Sequence, residues 1–190
     1  MPHGETETLW KVIDRLEKGD IPYMLTGSMA LNFYGQMRAT RDIDIVVQIR
    51  SEDVETLYQL FKTDFYIDQE SVRSAVKNRS MFNIIDNASI FKVDFIMLGN
   101  DSLSRLQFSR RKTIALGNQH LTVISPEDLI LAKLAWAKQS LSELQHRDIE
   151  NLLHSNQDTL DFGYITQWAE KVGLLENFKD IYASFSRHQS

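Results

Sequence analysis

The sequence predicts an α+β fold, in which a mixed β-sheet flanked by helices carries a helical C-terminal region packed on it. Up to about residue 124, short apolar runs alternate with segments whose apolar residues recur at helical spacing. Beyond that point only helical spacing is found. We therefore expect a mixed core over residues 1–124 and a helical region over residues 125–190. Because no long polar linker separates the two regions, they should pack as one unit.

Local signals define the first three elements. Apolar residues at helical spacing predict a helix over residues 6–18, which Gly19 ends. The run PYMLT, residues 22–26, predicts a short strand. Ser28 is expected to cap a helix over residues 29–34, because a serine oxygen accepts hydrogen bonds from the free N–H groups of a first helical turn.

The remaining elements of the first region alternate in the same way. Apolar runs rich in β-branched and aromatic residues predict strands at 41–49, 64–68, 81–86, 89–98, 112–117 and 121–125. Helical spacing predicts helices at 51–61, 70–78 and 103–108. Short polar connections indicate two hairpins, one formed by the strands at 81–86 and 89–98 and one by the strands at 112–117 and 121–125.

The helical region opens on Ser125-Pro126-Glu127-Asp128. This is a strong helix start, with a capping serine, proline at the first helical position and acidic residues in the first turn. Helical spacing then predicts helices at 127–140, 142–154 and 164–185, the last interrupted near Gly173.

The composition excludes several classes of protein. The chain is 43% hydrophobic and 25% charged, with a formal net charge of −5 and no polybasic stripe, so strong nonspecific binding to nucleic acid is not indicated. It contains no cysteine, which excludes disulfides, thiolate zinc sites and cysteine nucleophiles. No apolar run approaches the roughly 20 residues of a membrane span, and the polar N-terminus does not resemble a signal peptide. We expect a cytoplasmic protein.

Acidic residues interrupt two of the predicted strands. Asp42 and Asp44 are two residues apart, so they share one face, separated by about 6.6–7 Å along the strand. Burying two neighbouring carboxylates is costly unless a cation compensates. Asp94 is a third acid, set between apolar Val93 and Phe95. On adjacent strands, three carboxylates could hold two metal ions about 3.5–4 Å apart, the arrangement used in phosphoryl transfer.

A Gly-Ser pair lies one predicted helix before Asp42 and Asp44. Gly27 permits close backbone approach, and a helix that starts at Ser28 presents free N–H groups and the positive end of its dipole. Such a start can bind phosphate, with the serine hydroxyl as an additional donor. Gly-Ser by itself is a weak signal, but its position just before Asp-Ile-Asp makes the combination specific.

The acids could also have a purely structural role. They could cap loops at strand ends, or pair with Arg38, Arg41 or Lys92. The two arginines, which flank the first pair of acids, could equally hold a triphosphate.

The order Gly-Ser, Asp-x-Asp on a strand and a third Asp on a later strand resembles the DNA polymerase β-like nucleotidyltransferase superfamily. The segments TGSMALNFYG, RATRDIDIVV and SPEDLILAKLAWA, followed by RDIENLL, are similar to the AbiEii-type and related minimal bacterial nucleotidyltransferases. The resemblance covers approximately residues 20–155 and implies a nucleotidyltransferase-type mixed sheet.

The resemblance implies a function and a set of site residues. A nucleoside monophosphate would pass from a nucleoside triphosphate to an acceptor hydroxyl, with two Mg²⁺ ions as cofactors. Asp42, Asp44 and Asp94 would bind metal, with Asp94 also acting as the base, and Gly27 and Ser28 would bind the nucleotide. The acceptor could be a tRNA, a protein or a small molecule, and membership of a toxin-associated group would imply an antitoxin partner.

The same resemblance assigns Lys133 and Asp148 to the nucleotide site. Lys133 is the one charge in an apolar helical segment, so its ammonium either reaches a triphosphate or extends to the surface while its stem packs on the core. Asp148 lies on the inward stripe of its helix and needs a partner there. In a functional role, Asp148 would orient Lys133. In a structural role, it would form an ion pair with Arg147, Arg111 or Lys133.

Two rival functions stay open. One is a phosphohydrolase that uses the same metal-binding acids, which the triphosphate-type helix start disfavours. The other is a catalytically silent domain of the same fold that binds a nucleotide or a partner chain. Three acids within apolar strands argue against it, because a binding module does not need them.

Overall fold

A computed structural model gives the structure of this protein and describes residues 3–40, 42–140 and 142–187. Within these residues the helices are α1 His3–Lys18, α2 Gly27–Leu31, α3 Val54–Phe61, α4 Gln69–Asn78, α5 Ser102–Ser109, α6 Pro126–Ser140, α7 Glu143–Asn156, α8 Phe162–Lys171 and α9 Leu175–Arg187. The strands are β1 Tyr23–Thr26, β2 Asp42–Val47, β3 Phe65–Tyr66, β4 Met81–Asp86, β5 Lys92–Met97, β6 Lys112–Leu116 and β7 Gln119–Val123.

The described strands form one mixed sheet in the order β3-β4-β5-β2-β1-β7-β6. At its centre β2 pairs with β5 in parallel, and β1 pairs with β2 in antiparallel orientation. β1 also pairs in parallel with β7. The hairpins β4–β5 and β6–β7 are antiparallel, as the sequence predicts. The α+β fold class is therefore confirmed.

The central strands β2 and β5 have one apolar face and one acidic face. On β2, Ile43, Ile45 and Val47 are fully buried, and on β5 Val93 and Phe95 are fully buried on the same side. Successive side chains on a strand point to opposite faces. The polar residues of both strands therefore lie together on the other face.

Several element boundaries differ from the sequence prediction. α2 begins at Gly27 and ends at Leu31, so Ser28 lies inside its first turn and is not the capping residue. The predicted helix at residue 51 starts as a 3₁₀ turn, Ser51–Asp53, before α3. The predicted interruption near Gly173 separates α8 from α9, and Gly173 adopts φ +69° there.

The chain divides into two compact units. The first comprises Met1–Met29 with Arg38–Val123, and the second comprises Ala30–Met37 with Ile124–Ser190. Residues 30–37 are tied to α7 within the second unit, where Asn156 Nδ2 donates to the Tyr34 carbonyl at 2.7 Å. Packing of the core and the helical region as a single unit stays a prediction. No helix in the described part of the chain is long and apolar enough to cross a membrane.

A buried ion pair joins α6 and α7 inside the second unit. Lys133 Nζ lies 2.6 Å from Asp148 Oδ2, and both side chains are only 4% exposed. The same ammonium donates to Gln145 Oε1 at 3.1 Å. The Lys133 charge is therefore held inside the helical unit and does not extend to the surface. Arg147, another predicted partner of Asp148, contacts Glu143 at 3.8 Å.

Removing one member of this pair should destabilise the protein. In Lys133→Met, Asp148 loses its nearest cation at a buried position, and we expect the free energy of unfolding to fall by about 3–5 kcal/mol. Replacing both charges, in Lys133→Met with Asp148→Leu, should recover much of that loss. Arg147→Met removes only an exposed pair and should change stability little. Urea denaturation measures all three, and a Lys133→Met protein as stable as the parent would contradict this role.

Candidate active site

The structure brings the three predicted acids to neighbouring strands of the first unit. Asp44 on β2 and Asp94 on β5 are direct partners in the parallel register, and Asp42 is the partner of Lys92. All four side chains share one face of the sheet because they occupy alternate positions. Asp94 is buried, with 8% of its side chain exposed, whereas Asp42 is 50% exposed.

Lys92 bridges two of these acids. Its Nζ lies 2.8 Å from Asp94 Oδ2 and 3.3 Å from Asp42 Oδ1. The hydrogen bond to Asp94, together with the charges of both carboxylates, raises the pKa of Lys92. The lysine thus partly neutralises the acidic face. Pairing of the acids with Lys92 was one of the structural alternatives that the sequence left open.

The predicted convergence of Asp42, Asp44 and Asp94 on a metal position stays a prediction. Among the described residues, no group of three His, Asp or Glu side chains could hold a metal ion as it stands. Two of the three acids, Asp42 and Asp94, are engaged by the ammonium of Lys92.

The donor set nevertheless fits a hard cation. Asp94 Oδ1 is buried and has no hydrogen-bond partner within the described part of the chain. A buried acceptor without a partner is costly, so an additional cation or donor at this oxygen would be stabilising. Carboxylate oxygens are ligands that Mg²⁺ prefers. Asp94, Asp44 and Asp42 are therefore the residues of this face that could hold a divalent ion.

Gly27 makes room for the carboxylate of Asp44. It adopts φ +65°, and a Cβ atom built on it would lie 2.8 Å from Asp44 Cγ and closer still to Oδ2. Side chains other than glycine rarely adopt this backbone conformation. Thr26, immediately before it, is the register partner of Asp44. Gly27 therefore leaves open the space at the end of β1 that the Asp44 carboxylate occupies.

Ser28 contacts one of the arginines near the acids. Arg38 Nη2 lies 2.5 Å from Ser28 Oγ and donates to it, and both residues are partly buried. Arg38 therefore lies at the start of α2 in the first unit. Arg41, the second flanking arginine of the sequence prediction, lies outside the described residues.

The other two predicted site residues belong to the second unit. Lys133 and Asp148 contact each other there, and their assignment to a nucleotide stays a prediction. From the sequence, Lys92 is predicted only as one possible counter-ion of the acids. Its position two residues before Asp94 places it on the same strand face, so strand periodicity alone could have marked it as part of this site.

Solved structures of several nucleotidyltransferases share this fold. The lincosamide antibiotic adenylyltransferase LnuA, bound to lincomycin, is 18% identical with a TM-score of 0.55, and the match covers 77% of this chain and 94% of LnuA. The antibiotic-resistance factor ANT(2'')-Ia is 13% identical with a TM-score of 0.55, covering 100% and 98%. An antigenic nucleotidyltransferase-like protein from Paracoccidioides brasiliensis is 18% identical with a TM-score of 0.56, covering 94% and 91%.

Identities this low show the fold alone. A search of curated proteins returned no match. A family profile, in contrast, matches most of the chain: the family described as Aminoglycoside-2''-adenylyltransferase matches residues 8–152. The matched segment starts in α1, includes all three acids of the sheet and ends in α7. This protein therefore belongs to the aminoglycoside-2''-adenylyltransferase family, within the nucleotidyltransferase superfamily.

Proposed function

We propose that this protein transfers a nucleoside monophosphate from a nucleoside triphosphate to a hydroxyl group of a small-molecule acceptor, at the acidic face of β2 and β5. The observation that carries the proposal is the register pair Asp44–Asp94, in which Asp94 is buried and one of its oxygens has no hydrogen-bond partner among the described residues. A structural salt bridge would not require that second, unbound oxygen.

The proposed cofactor is Mg²⁺, with two ions held by Asp42, Asp44 and Asp94. Bound there, the ions would neutralise charge on the phosphates and on the attacking oxygen. Asp94 is the proposed base, because it is the most buried acid of the three and its Oδ1 has no hydrogen-bond partner among the described residues. Gly27 and Ser28 are proposed to bind the phosphates beside Asp44, where Arg38 adds a positive charge.

The proposed acceptor is an antibiotic-type molecule with several hydroxyl groups. Support comes from the family to which the chain belongs and from the names of LnuA and ANT(2'')-Ia. The charge of this chain agrees, since a net charge of −5 attracts a cationic acceptor such as an aminoglycoside and repels a nucleic acid. The AbiEii-type assignment, transfer to tRNA or protein and an antitoxin partner rest on the sequence resemblance alone.

A direct assay tests the reaction. We expect pyrophosphate release when the protein is incubated with Mg²⁺, each labelled nucleoside triphosphate in turn, and an aminoglycoside or lincomycin. Mass spectrometry should find one nucleotidyl group added to the acceptor. Asp44→Asn should lower the rate by about 100-fold or more, because it weakens the charge that holds the cofactor. Asp14→Asn, which changes an exposed acid on α1, is the charge-matched control.

Different results would point to different functions. Labelling of tRNA or protein, with none on the small molecules, would contradict the proposed acceptor. Nucleotide binding without pyrophosphate release from any acceptor would indicate a catalytically silent domain.

Gly27→Ala tests the backbone support of Asp44. The added Cβ would displace the Asp44 carboxylate, so we expect loss of transfer and loss of the rise in melting temperature on adding Mg²⁺. Gly117→Ala is the matched control, because Gly117 also has positive φ but nothing lies within 4 Å of the added Cβ. It should cost about 1–2 kcal/mol of stability from backbone strain while the Mg²⁺ response is kept. Equal Mg²⁺ responses in the two variants would contradict the proposed support.

Lys92→Met tests the competition between lysine and metal. Without its ammonium, Asp42 and Asp94 lose a cation, so the protein without Mg²⁺ should melt at a lower temperature. The gain on adding Mg²⁺ should then be larger than in the parent, because no side-chain cation has to be displaced. Lys11→Met is the control, since Lys11 likewise bridges two acids, Glu7 at 3.0 Å and Asp86 at 3.5 Å. An Mg²⁺ response smaller than that of the parent would show that Lys92 assists binding.

A further inference from the structure

We propose that the first unit carries a second ligand site, distinct from the acidic face, that takes a small organic molecule bearing phosphate groups, with the chemistry of a nucleotide. The site is a cavity of about 780 Å³ at the ends of β2 and β5. Cavities of about 300–1,000 Å³ are typical of small-molecule sites. The proposal does not depend on the transfer reaction.

The cavity lies at the opposite end of the strands from the acids. Val47 and Gln48, at the end of β2, line the cavity. So do Met97 and Leu98, at the end of β5. A strand rises about 3.3 Å per residue, which puts Leu98 about 13 Å beyond Asp94. None of the three candidate metal-binding acids is among the residues that line it.

Positive charge is concentrated around this cavity. Its described lining contains four arginines, Arg50, Arg79, Arg105 and Arg111, and a single acid, Glu52. The chain as a whole carries 26 acidic and 21 basic residues. A cluster with this excess of arginine therefore opposes the overall charge and provides a local attraction for anions.

The arginines are held in place mainly by neutral groups. Arg79 donates to the Leu98 carbonyl at 3.2 Å, and Arg105 donates to Asn100 Oδ1 at 3.1 Å. Neither makes an ion pair with an acid of the described chain. Each guanidinium carries five donors in a fixed fork, so donors are left for a ligand after these contacts.

The other two arginines differ in their partners. Arg111 stacks on the Phe108 ring, with its guanidinium carbon 4.2 Å from the ring centre. Arg50 pairs with Glu52 at 3.6 Å, and both side chains are about 70% exposed, so this pair is weak and solvent-screened. The cluster therefore keeps most of its positive charge available to a bound anion.

The lining favours phosphate attached to an apolar or aromatic body. Guanidinium groups bind phosphate through paired hydrogen bonds. Pro22, Val76 and Leu98, the apolar lining residues that are not buried, form an apolar floor beside them. Inorganic phosphate would leave that floor uncovered, whereas the base and sugar of a nucleotide would cover it. A nucleic acid chain is disfavoured, because it needs a continuous basic track and the chain has a net charge of −5.

Calorimetric titration with EDTA present tests this site while the metal-dependent site is disabled. The probes are ATP, pyrophosphate and adenosine. We expect one ATP per chain, with weaker binding of pyrophosphate and of adenosine, because each covers only part of the lining. Arg79→Gln and Arg105→Gln should each weaken ATP binding about tenfold, the effect of losing one charge-assisted contact. Arg73→Gln, on α4 but outside the cavity, is the matched control, and melting temperatures confirm that each variant is folded.

The variants separate this proposal from the proposed reaction. ATP binding that persists in Asp44→Asn but weakens in Arg79→Gln supports the second site, whether or not the protein transfers nucleotides. No saturable ATP binding in EDTA, or binding lost in Asp44→Asn and kept in both arginine variants, would overturn it. Equal affinities for pyrophosphate and ATP would overturn the nucleotide assignment. Tighter binding of a random-sequence RNA oligonucleotide, lost in the same arginine variants, would overturn it in favour of a nucleic-acid surface.

Discussion

The parallel pairing of β2 with β5 sets the central electrostatic problem of this molecule. It places Asp44 beside Asp94 in register, on one face of the sheet, with Asp94 almost fully buried. Two adjacent carboxylates repel each other and lose solvation when buried. The opposite face of the same strands consists of fully buried apolar residues, so neither carboxylate can move to that face. Compensation has to come from cations or hydrogen-bond donors on their own face.

Two residues of the first unit accommodate these acids, one through its charge and the other through its small size. Lys92 supplies positive charge to Asp94, two residues further along β5, and to Asp42, its register partner on β2. Gly27 supplies space, because its missing side chain lets the Asp44 carboxylate lie against the end of β1. A lysine is a replaceable counter-ion, whereas a metal ion binds through several oxygens at once. Lys92 thus compensates Asp42 and Asp94 without a bound ion, and the proposed metal ion would have to take its place.

Charge in the first unit is separated along the strands. The acids lie near the start of β2 and β5, and the four arginines line the cavity where the same strands end. Since both strands run in the same direction, the three acids lie near one end of this strand pair and the four arginines of the cavity lie near the other. This separation is hidden in the net charge of −5. In the second unit, by contrast, Lys133 and Asp148 satisfy each other inside the helices.

The sequence by itself determined the features that depend on local spacing. Period-two alternation put Asp42 and Asp44 on one strand face, the SPED segment marked the start of the helical region, and Gly173 marked the break between α8 and α9. Together with the resemblance, these patterns were enough to predict the fold class and the superfamily. Local spacing was less reliable at helix ends, where it assigned Ser28 as a cap although α2 begins at Gly27.

Only the tertiary structure decided how distant segments meet. The pairing of Asp44 with Asp94, the bridge from Lys92 to Asp42 and the approach of Gly27 to Asp44 all depend on strand order and register. The arginine cavity likewise gathers residues from separate loops and helices. Strand periodicity fixes which face a residue takes, but not which strand lies beside it. Strand order and register follow from the packing of the whole sheet, so no single segment of the sequence encodes these contacts.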